Sequence, residues 1–504
     1  MNVERIRMAA LQHKVMSAKQ AAELVKPGMT LGLSGFTRAG DAKAVPDALI
    51  ERAKKNPLQV TVITGASLGH DTDKRMAEAG LLARRLPFQV DTALRRAINQ
   101  GEVPFLDQHL SETTAQLRHG HLKPIDVAVI EAVAIQEDGS IVPTMSVGNS
   151  VIFAEQAKQI IIELNQAVPV ALEGLHDIYT LAAEQGRQPL PLTRVDQRIG
   201  TTAIKVDPAK IAAIVLTQEI DSPSNALPPD TDTQAIARHI GWFFEQEVEA
   251  GRMGPSLRPL QAGIGTIANA VLHGLLDSPF EDLTMYSEVL QDSAFELIDA
   301  GKVRFASASS ITVSGTVYHR FLSQLGRYRD KVVLRPQDIS NAAELIRRLG
   351  VIAINTALEV DIYGNVNSTH VGGTHMMNGI GGSGDFARNA SLAMFVTKSI
   401  AKDGDISSIV PMVPHVDHGM QDVDVVVTEC GLADLRGKSP RERALSIIEN
   451  CVHADYRDAL LDYFHRACLR GGQTPHLLEE AFGWHQRFQQ TGSMRVQRET
   501  ALAL

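Results

Sequence analysis

Three short segments in the second half of the sequence carry residue types that could do chemistry. In Gly263-Ile264-Gly265-Thr266-Ile267-Ala268-Asn269, two glycines precede an apolar stretch, Ile267–Leu276, with helical spacing. Glycines let backbone approach an anion closely, and a helix N-terminus favours negative charge. The pattern fits a dinucleotide fingerprint of the GxGxxA type or a tight structural turn. Glu288, in Tyr286-Ser-Glu-Val-Leu-Gln-Asp292, falls where the apolar strand expected at Leu283–Ser287 ends. Ligands of α/β proteins collect at that edge. Glu288 could hold a ribose hydroxyl there, or serve only as a carboxylate at a helix start. The third segment is Met377-Asn-Gly-Ile-Gly-Gly-Ser-Gly-Asp-Phe386, where every residue from Gly379 to Asp385 except Ile380 is Gly, Ser or Asp. Gly379, Gly381, Gly382 and Gly384 lie so close together that convergence of backbone N–H groups on a ligand is the natural reading. The apolar residues on either side argue against a surface linker.

Two further patterns are weaker. Gly65-Ala-Ser67-Leu-Gly69 formally matches a GxSxG nucleophile elbow after a strand, but needs an Asp and a His in triad geometry. His415-Val-Asp417-His418 could suggest a metal, yet its spacing is not HExxH; a hydrogen-bonded structural role is the preferred reading.

These segments need a scaffold. At 504 residues, with 44% apolar and 21% charged residues, the chain can build two or three α/β units. Short apolar runs at Met29–Leu33, Val60–Thr64, Ile125–Glu131, Gln159–Glu163 and Ile211–Leu216 read as buried strands. Ala44–Lys54, Asp91–Asn99 and Ser150–Ala157 have helical spacing between them. The rhythm is that of mainly parallel sheets with flanking helices. Asp221–Asp232 breaks it with Pro, Ser and Asp and reads as a linker, followed by a helix from about Thr233 to Ala250. Candidate strands then recur at Leu283–Ser287, Lys331–Leu334, Val351–Asn355, Ser408–Met412 and Asp424–Thr428. We therefore expect one α/β domain over 1–225 and a second over 226–504. A short echo hints that the two are related: Val127-Ala-Val-Ile with Asp138-Gly-Ser-Ile, and Val351-Ile-Ala-Ile with Tyr363-Gly-Asn-Val.

A net charge of −9 with no Lys/Arg run disfavours a nucleic-acid partner. No apolar run is long enough for a membrane span, the N-terminus lacks a secretory signal, and Cys430, Cys451 and Cys468 form no CxxC. A reducing, cytoplasmic location is expected.

Taken together, Gly263–Asn269, the SEVLQD stretch and NGIGGSGDFARNA resemble the acetyl-CoA hydrolase/transferase family within the class I CoA-transferases. Ser34-Gly-Phe-Thr, Ser146-Val-Gly-Asn-Ser, Pro414-His-Val-Asp-His and Glu429-Cys-Gly-Leu-Ala-Asp-Leu-Arg support it. The tail segments Thr474-Pro-His-Leu-Leu and Trp484-His-Gln-Arg-Phe are most similar to bacterial members that exchange CoA between succinyl-CoA and acetate. The resemblance implies two open α/β domains with the active site between them, and Glu288 as a nucleophile that becomes a glutamyl-CoA thioester. It places Gly263, Ile264, Gly265, Thr266, Ile267, Asn378, Gly382 and Lys402 around CoA. The N–H groups of Ile264 and Gly382 would be oxyanion donors, with Asn341 and Glu429 near the reacting centre. Acyl-CoA and short-chain carboxylic acids are the implied partners, the protein is expected to be a homodimer, and neither metal nor resident cofactor is called for. One departure stands out. Gln218–Leu227 has no Arg or Lys where relatives that use acetate can carry an arginine; Ser222 is near that place, and Ser67 is the candidate polar contact for the carboxylate. Propionyl-CoA:succinate exchange, hydrolysis of acetyl-CoA and non-catalytic CoA or nucleotide binding remain the alternative readings.

Overall fold

The computed structural model describes residues 3–182, 187–225 and 227–495. The apolar runs of the first half form a seven-stranded sheet: β1 (Thr30–Leu33), β2 (Val60–Ile63), β3 (Leu82–Leu86), β4 (Val127–Ile135), β5 (Ile141–Pro143), β6 (Gln159–Asn165) and β7 (Ile211–Thr217). The order is β3-β2-β1-β4-β6-β7, all parallel, with β5 antiparallel on β4. All nine residues of β4 are buried, as expected for a central strand covered on both faces.

Buried charge locks the helices onto this sheet. The Glu163 carboxylate, on β6, accepts from the N–H groups of Lys43, Ala44 and Val45 at 2.7, 3.0 and 2.6 Å. It thus satisfies the open N-terminus of helix Ala44–Lys55 from across the sheet. Lys43 itself is buried, donating to Glu131 Oε2 at 2.6 Å and Asp221 Oδ1 at 3.0 Å, with Asp41 at 3.6 Å. Burial outweighs the lysine and pushes the Glu131 carboxyl up to about 8.

The second half builds an eight-stranded sheet: β8 (Leu260–Ala262), β9 (Leu283–Tyr286), β10 (Val303–Ala308), β11 (Val332–Leu334), β12 (Ile352–Thr356), β13 (Leu392–Val396), β14 (Val425–Thr428) and β15 (Gly431–Asp434). Its order is β11-β10-β9-β8-β12-β13-β14-β15, with only β15 antiparallel. Both sheets run outward from their first strand in two directions, so each has a switch point: β1/β4 in one and β8/β12 in the other. The sequence echo falls on β4 and β12, which occupy the same position in the two orders. Isolated bridges Ser146–Ser310, Gly148–Pro336 and His176–Leu334 stitch the halves together.

Among its described residues the expected linker carries no helix or strand up to Asp230, which caps helix Thr231–Glu249 by accepting from Thr233 N–H at 2.9 Å. Ser408–Met412 does not join the main sheet as expected. Within it only Ile409–Val410 is a strand, paired with Val360–Asp361 outside the main sheet. Strands β3, β5, β8, β10, β13 and β15 fall outside the expected set. Among the described residues no helix is long and apolar enough to cross a membrane.

Replacing Lys43 by Met leaves Glu131, Asp221 and Asp41 buried without their cation. We expect a loss of about 3–5 kcal/mol, the scale for breaking a buried charge pair from one side, read as a lower urea midpoint with unchanged slope.

Candidate active site

At the switch point of the second sheet, β8 and β12 diverge and β9 lies next to β8. The ends of these three strands carry the glycine turn 263–265, Asn355–Leu358 and Glu288. A cavity of about 190 Å³ opens there, and Phe36, Thr37, Ala66, Phe88 and Leu110 of the first half close it. The segment Asn378–Ser383 forms a further wall. Glu288 is the one ionisable side chain among the described residues lining this cavity.

Glu288 Oε1 accepts from Asn341 Nδ2 at 2.6 Å, and the same nitrogen donates to Asp385 Oδ2 at 2.9 Å. Asp385 is held in turn by Ser111 of the first half, through its N–H at 3.1 Å and its Oγ at 2.5 Å. Burial pushes the Glu288 carboxyl up to about 8; the Asn341 hydrogen bond opposes the rise and the Asp385 charge adds to it. Asp385 is also raised by burial. Burial at this position thus favours the protonated form of Glu288.

Three of the four glycines of the third segment have a reason in the geometry. A Cβ at Gly382 would overlap the Glu288 carboxylate and lie 2.6 Å from Asn341 Nδ2. A Cβ at Gly384 would strike the His109 ring, 2.5 Å from Nδ1. Gly381 needs glycine for its backbone, at φ +61°. The first half clamps this segment: Asp107 accepts from Ile380 N–H at 2.8 Å, Leu110 N–H donates to the Gly381 carbonyl at 3.2 Å, and Arg95 Nε donates to the Met377 carbonyl at 2.6 Å.

The turn after β8 is held by a residue that sequence reasoning missed. Gln291 accepts from Gly265 N–H and donates to the Gly263 carbonyl, both at 3.0 Å. Its side chain thereby fixes the peptides on either side of Ile264, which lines the cavity together with Gly263. Gln291 stands three residues after Glu288 inside a quoted motif, and its polarity at a buried position was the available signal. Asp385 and Ser111 were missed as well. Asp385 sat inside the glycine segment, but its partner Ser111 lies 274 residues away in the chain.

The remaining expected residues are distributed unevenly. Asn378 lines the cavity, with its Oδ1 buried and unbonded among the described residues. Thr266 starts the helix Thr266–Gly274, and Ile267 packs on the main core. Ser67 is buried beside an adjoining cavity that shares Thr37, Phe88 and Ile264 with the first. Glu429 follows β14 on the same edge of the sheet as Glu288, and its carboxylate takes the Ser399 N–H at 2.8 Å and the Ser399 hydroxyl. Lys402 is exposed, its ammonium 4.9 Å from the centre of the Phe488 ring. Neither Glu429 nor Lys402 lines the Glu288 cavity. Asp417 is bound by Ser368 N–H at 2.7 Å and Thr369 Oγ1 at 2.8 Å, and His418 Nε2 lies 3.1 Å from Ser383 Oγ. These are hydrogen-bonded structural roles. Burial lowers the His418 ring to about 4, so it stays neutral.

A carboxylate at the switch point of one parallel sheet, roofed by a second, defines an α/β enzyme with its site in the cleft between two sheets. Residues 2–216 match the acetyl-CoA hydrolase/transferase N-terminal domain and 318–464 the C-terminal domain of the same name. The chain is 50% identical to a succinyl-CoA:acetate CoA-transferase of Clostridium kluyveri, over 98% of this chain and 92% of that one. It is 44% identical to an acetyl-CoA hydrolase of Kluyveromyces lactis, over 98% of both. It is also 44% identical to a propanoyl-CoA:succinate CoA transferase of Escherichia coli, over 95% of this chain and 98% of that one. The crystal structure of RipA from Yersinia pestis shares the fold, with TM-score 0.71 and 21% identity over 93% of this chain and all of that one. The protein belongs to the acetyl-CoA hydrolase/transferase family and is an enzyme of the CoA-transferase and hydrolase class.

Two outcomes follow from this geometry. Gly382→Ala puts a methyl group into the Glu288 carboxylate, so turnover should fall about 10²-fold, the scale of a misplacement of ~1 Å; Ser383→Ala, measured in the same assay, should be much milder. Because the folded protein holds the Glu288 proton more tightly than the unfolded chain does, stability from this group is complete below pH 4.5 and drains away as pH rises toward about 8. Glu288→Gln cannot ionise, so its melting temperature should gain on that of wild type between pH 5 and pH 9.

Proposed function

We propose that the protein transfers CoA between a short-chain acyl-CoA and a carboxylic acid, with succinyl-CoA and acetate as the preferred pair, through a thioester on Glu288. The observation that carries this reading is the absence of any other ionisable side chain among the described residues lining the Glu288 cavity. No cysteine or lysine is among the described lining residues, and the Ser383 hydroxyl donates to the Ile380 carbonyl at 2.8 Å.

The Glu288 carboxylate, once deprotonated, attacks the thioester carbonyl; the C–S bond breaks, giving a mixed anhydride and CoA thiolate. The thiolate attacks the glutamyl carbonyl, the anhydride C–O bond breaks, and the first acid departs as its carboxylate. A second acid reverses both steps and leaves as the new acyl-CoA. Each addition builds an oxyanion, for which the resemblance offers the N–H groups of Ile264 and Gly382 as donors, at about 3 kcal/mol per donor. The thioester bond is exchanged rather than spent, so the reaction calls for neither nucleotide nor metal. Asn341 keeps one carboxylate oxygen occupied and so orients the other toward the cavity. Hydrolysis needs a base to activate water, and with Glu288 esterified the cavity wall offers none; this favours transfer over hydrolysis.

Initial rates with succinyl-CoA and acetate should be ping-pong, with free thiol appearing much more slowly than acetyl-CoA. Thiol release equal to succinyl-CoA loss, with or without acetate, identifies a hydrolase. Propionate in place of acetate tests the propanoyl pair. Incubation with acyl-CoA alone should add the mass of CoA less one water to wild type and nothing to Glu288→Ala; an adduct on another residue would move the nucleophile.

A further inference from the structure

The turn that follows β1 violates local preference twice in succession. Phe36 and Ala39 pair across it, N–H to carbonyl at 3.0 and 3.3 Å, which leaves Thr37 and Arg38 as the two central residues. Both have positive φ, +53° and +69°. Such two-residue turns are the province of Asn and Gly, and a β-branched residue at positive φ is a true outlier. The surroundings hold the turn in place: the Thr37 carbonyl accepts from Thr312 Oγ1 at 2.7 Å, and Arg38 N–H donates to the Ser67 carbonyl at 3.0 Å. Strain maintained this way marks functional sites.

What the turn presents is a guanidinium. Arg38 lines the cavity of about 200 Å³ that adjoins the Glu288 cavity across Thr37, Phe88 and Ile264. It is the only cationic side chain among the described residues lining either of the two. Its guanidinium touches the Pro223 carbonyl, Nη1 to O at 3.5 Å, and has no ion pair among the described residues. That places it against the very segment, 218–227, that lacks a basic residue. Ser222 lines neither of the two cavities, and its Oγ accepts from the His70 N–H at 2.8 Å. On the outer side Arg38 borders a cavity of about 460 Å³ whose walls carry Asp71, Asp73 and Asp91. Asp73 is taken up by Arg85 at 2.8 Å, but Asp71 and Asp91 disfavour a polyphosphate tail on that side, whereas toward Glu288 the one cationic side chain among the described lining residues is Arg38.

We propose that Arg38 binds the far carboxylate of a dicarboxylic acyl group, and so sets the preference for succinyl over acetyl substrates. The inference rests on the transferase reading above. An acyl chain anchored at Glu288 in an apolar cavity offers its second carboxylate nowhere else to neutralise its charge, and a guanidinium fork matches a carboxylate in two hydrogen bonds.

The test compares kcat/KM for succinyl-CoA and for acetyl-CoA, each with propionate as acceptor, in wild type, Arg38→Gln, Arg38→Lys and Arg38→Gly. Arg38→Gln should lower the succinyl-to-acetyl ratio about 10- to 100-fold, the usual value of a charge-assisted contact, mostly through KM for succinyl-CoA. Arg38→Lys should restore part of the ratio. Arg38→Gly should lose the ratio yet raise the melting temperature, since glycine accepts this φ without strain. An unchanged ratio in folded Arg38→Gln, or equal losses for both acyl-CoAs as a contact with the CoA moiety would give, overturns the proposal. A wild type that exchanges neither acyl group refutes the transferase reading itself and this inference with it.

Discussion

One amide nitrogen, Asn341 Nδ2, lies between two buried carboxyl groups, Glu288 and Asp385. Two carboxylates that share a donor in a dry pocket cannot both be comfortable as anions, and most features of the site follow from that constraint. The donor must be rigid, so Asn341 stands at the end of the short helix Gln337–Ser340. The pocket must be dry, so a second sheet has to close over it. The far carboxylate must be pinned, so Ser111 reaches across from the first half. And no atom can intervene beside Glu288, which leaves glycine as the one residue that fits at 382.

The two sheets show one topology put to two uses. At the β1/β4 switch point, Lys43 and three acids fill the position where a ligand would sit, and the region serves as a joint that ties the linker residue Asp221 to the sheet. At the β8/β12 switch point a glycine turn replaces the lysine, one acid is left facing open space, and the joint becomes a site. Stability is concentrated at the first and surrendered at the second, where burial of Glu288 works against its ionised form.

The alternating rhythm of buried strands and helices made the α/β class legible, because parallel strands covered on both faces read as uninterrupted apolar runs. Of the strands that escaped notice, β13 carries that signal as Leu-Ala-Met-Phe-Val, and the others lack it. β8 is three residues squeezed between Pro259 and Gly263, and β10 mixes small residues with an exposed Arg304. In the site, Glu288 and the glycines were legible because their chemistry depends on residue type over a short span. Arg38, Ser111 and Gln291 were not, since nothing in an isolated arginine, serine or glutamine announces what the folded chain brings against it. Lys402 and Glu429 came from family resemblance alone, and the empty cavity does not draw them in.

The clasp between Ser111 and Asp385 joins residues 274 positions apart, and this has a consequence for how the protein is made. At roughly 5–20 residues per second of synthesis, with domains folding as they emerge, the first sheet is complete well before its counterpart exists. During that interval the growing chain holds every clamp for the glycine segment and nothing to clamp. The wall of the Glu288 cavity is therefore complete only once the glycine segment has left the ribosome. A chain truncated before Gly263 would be a roof without a room beneath it, presenting Phe36, Phe88 and Leu110 to solvent and to chaperones.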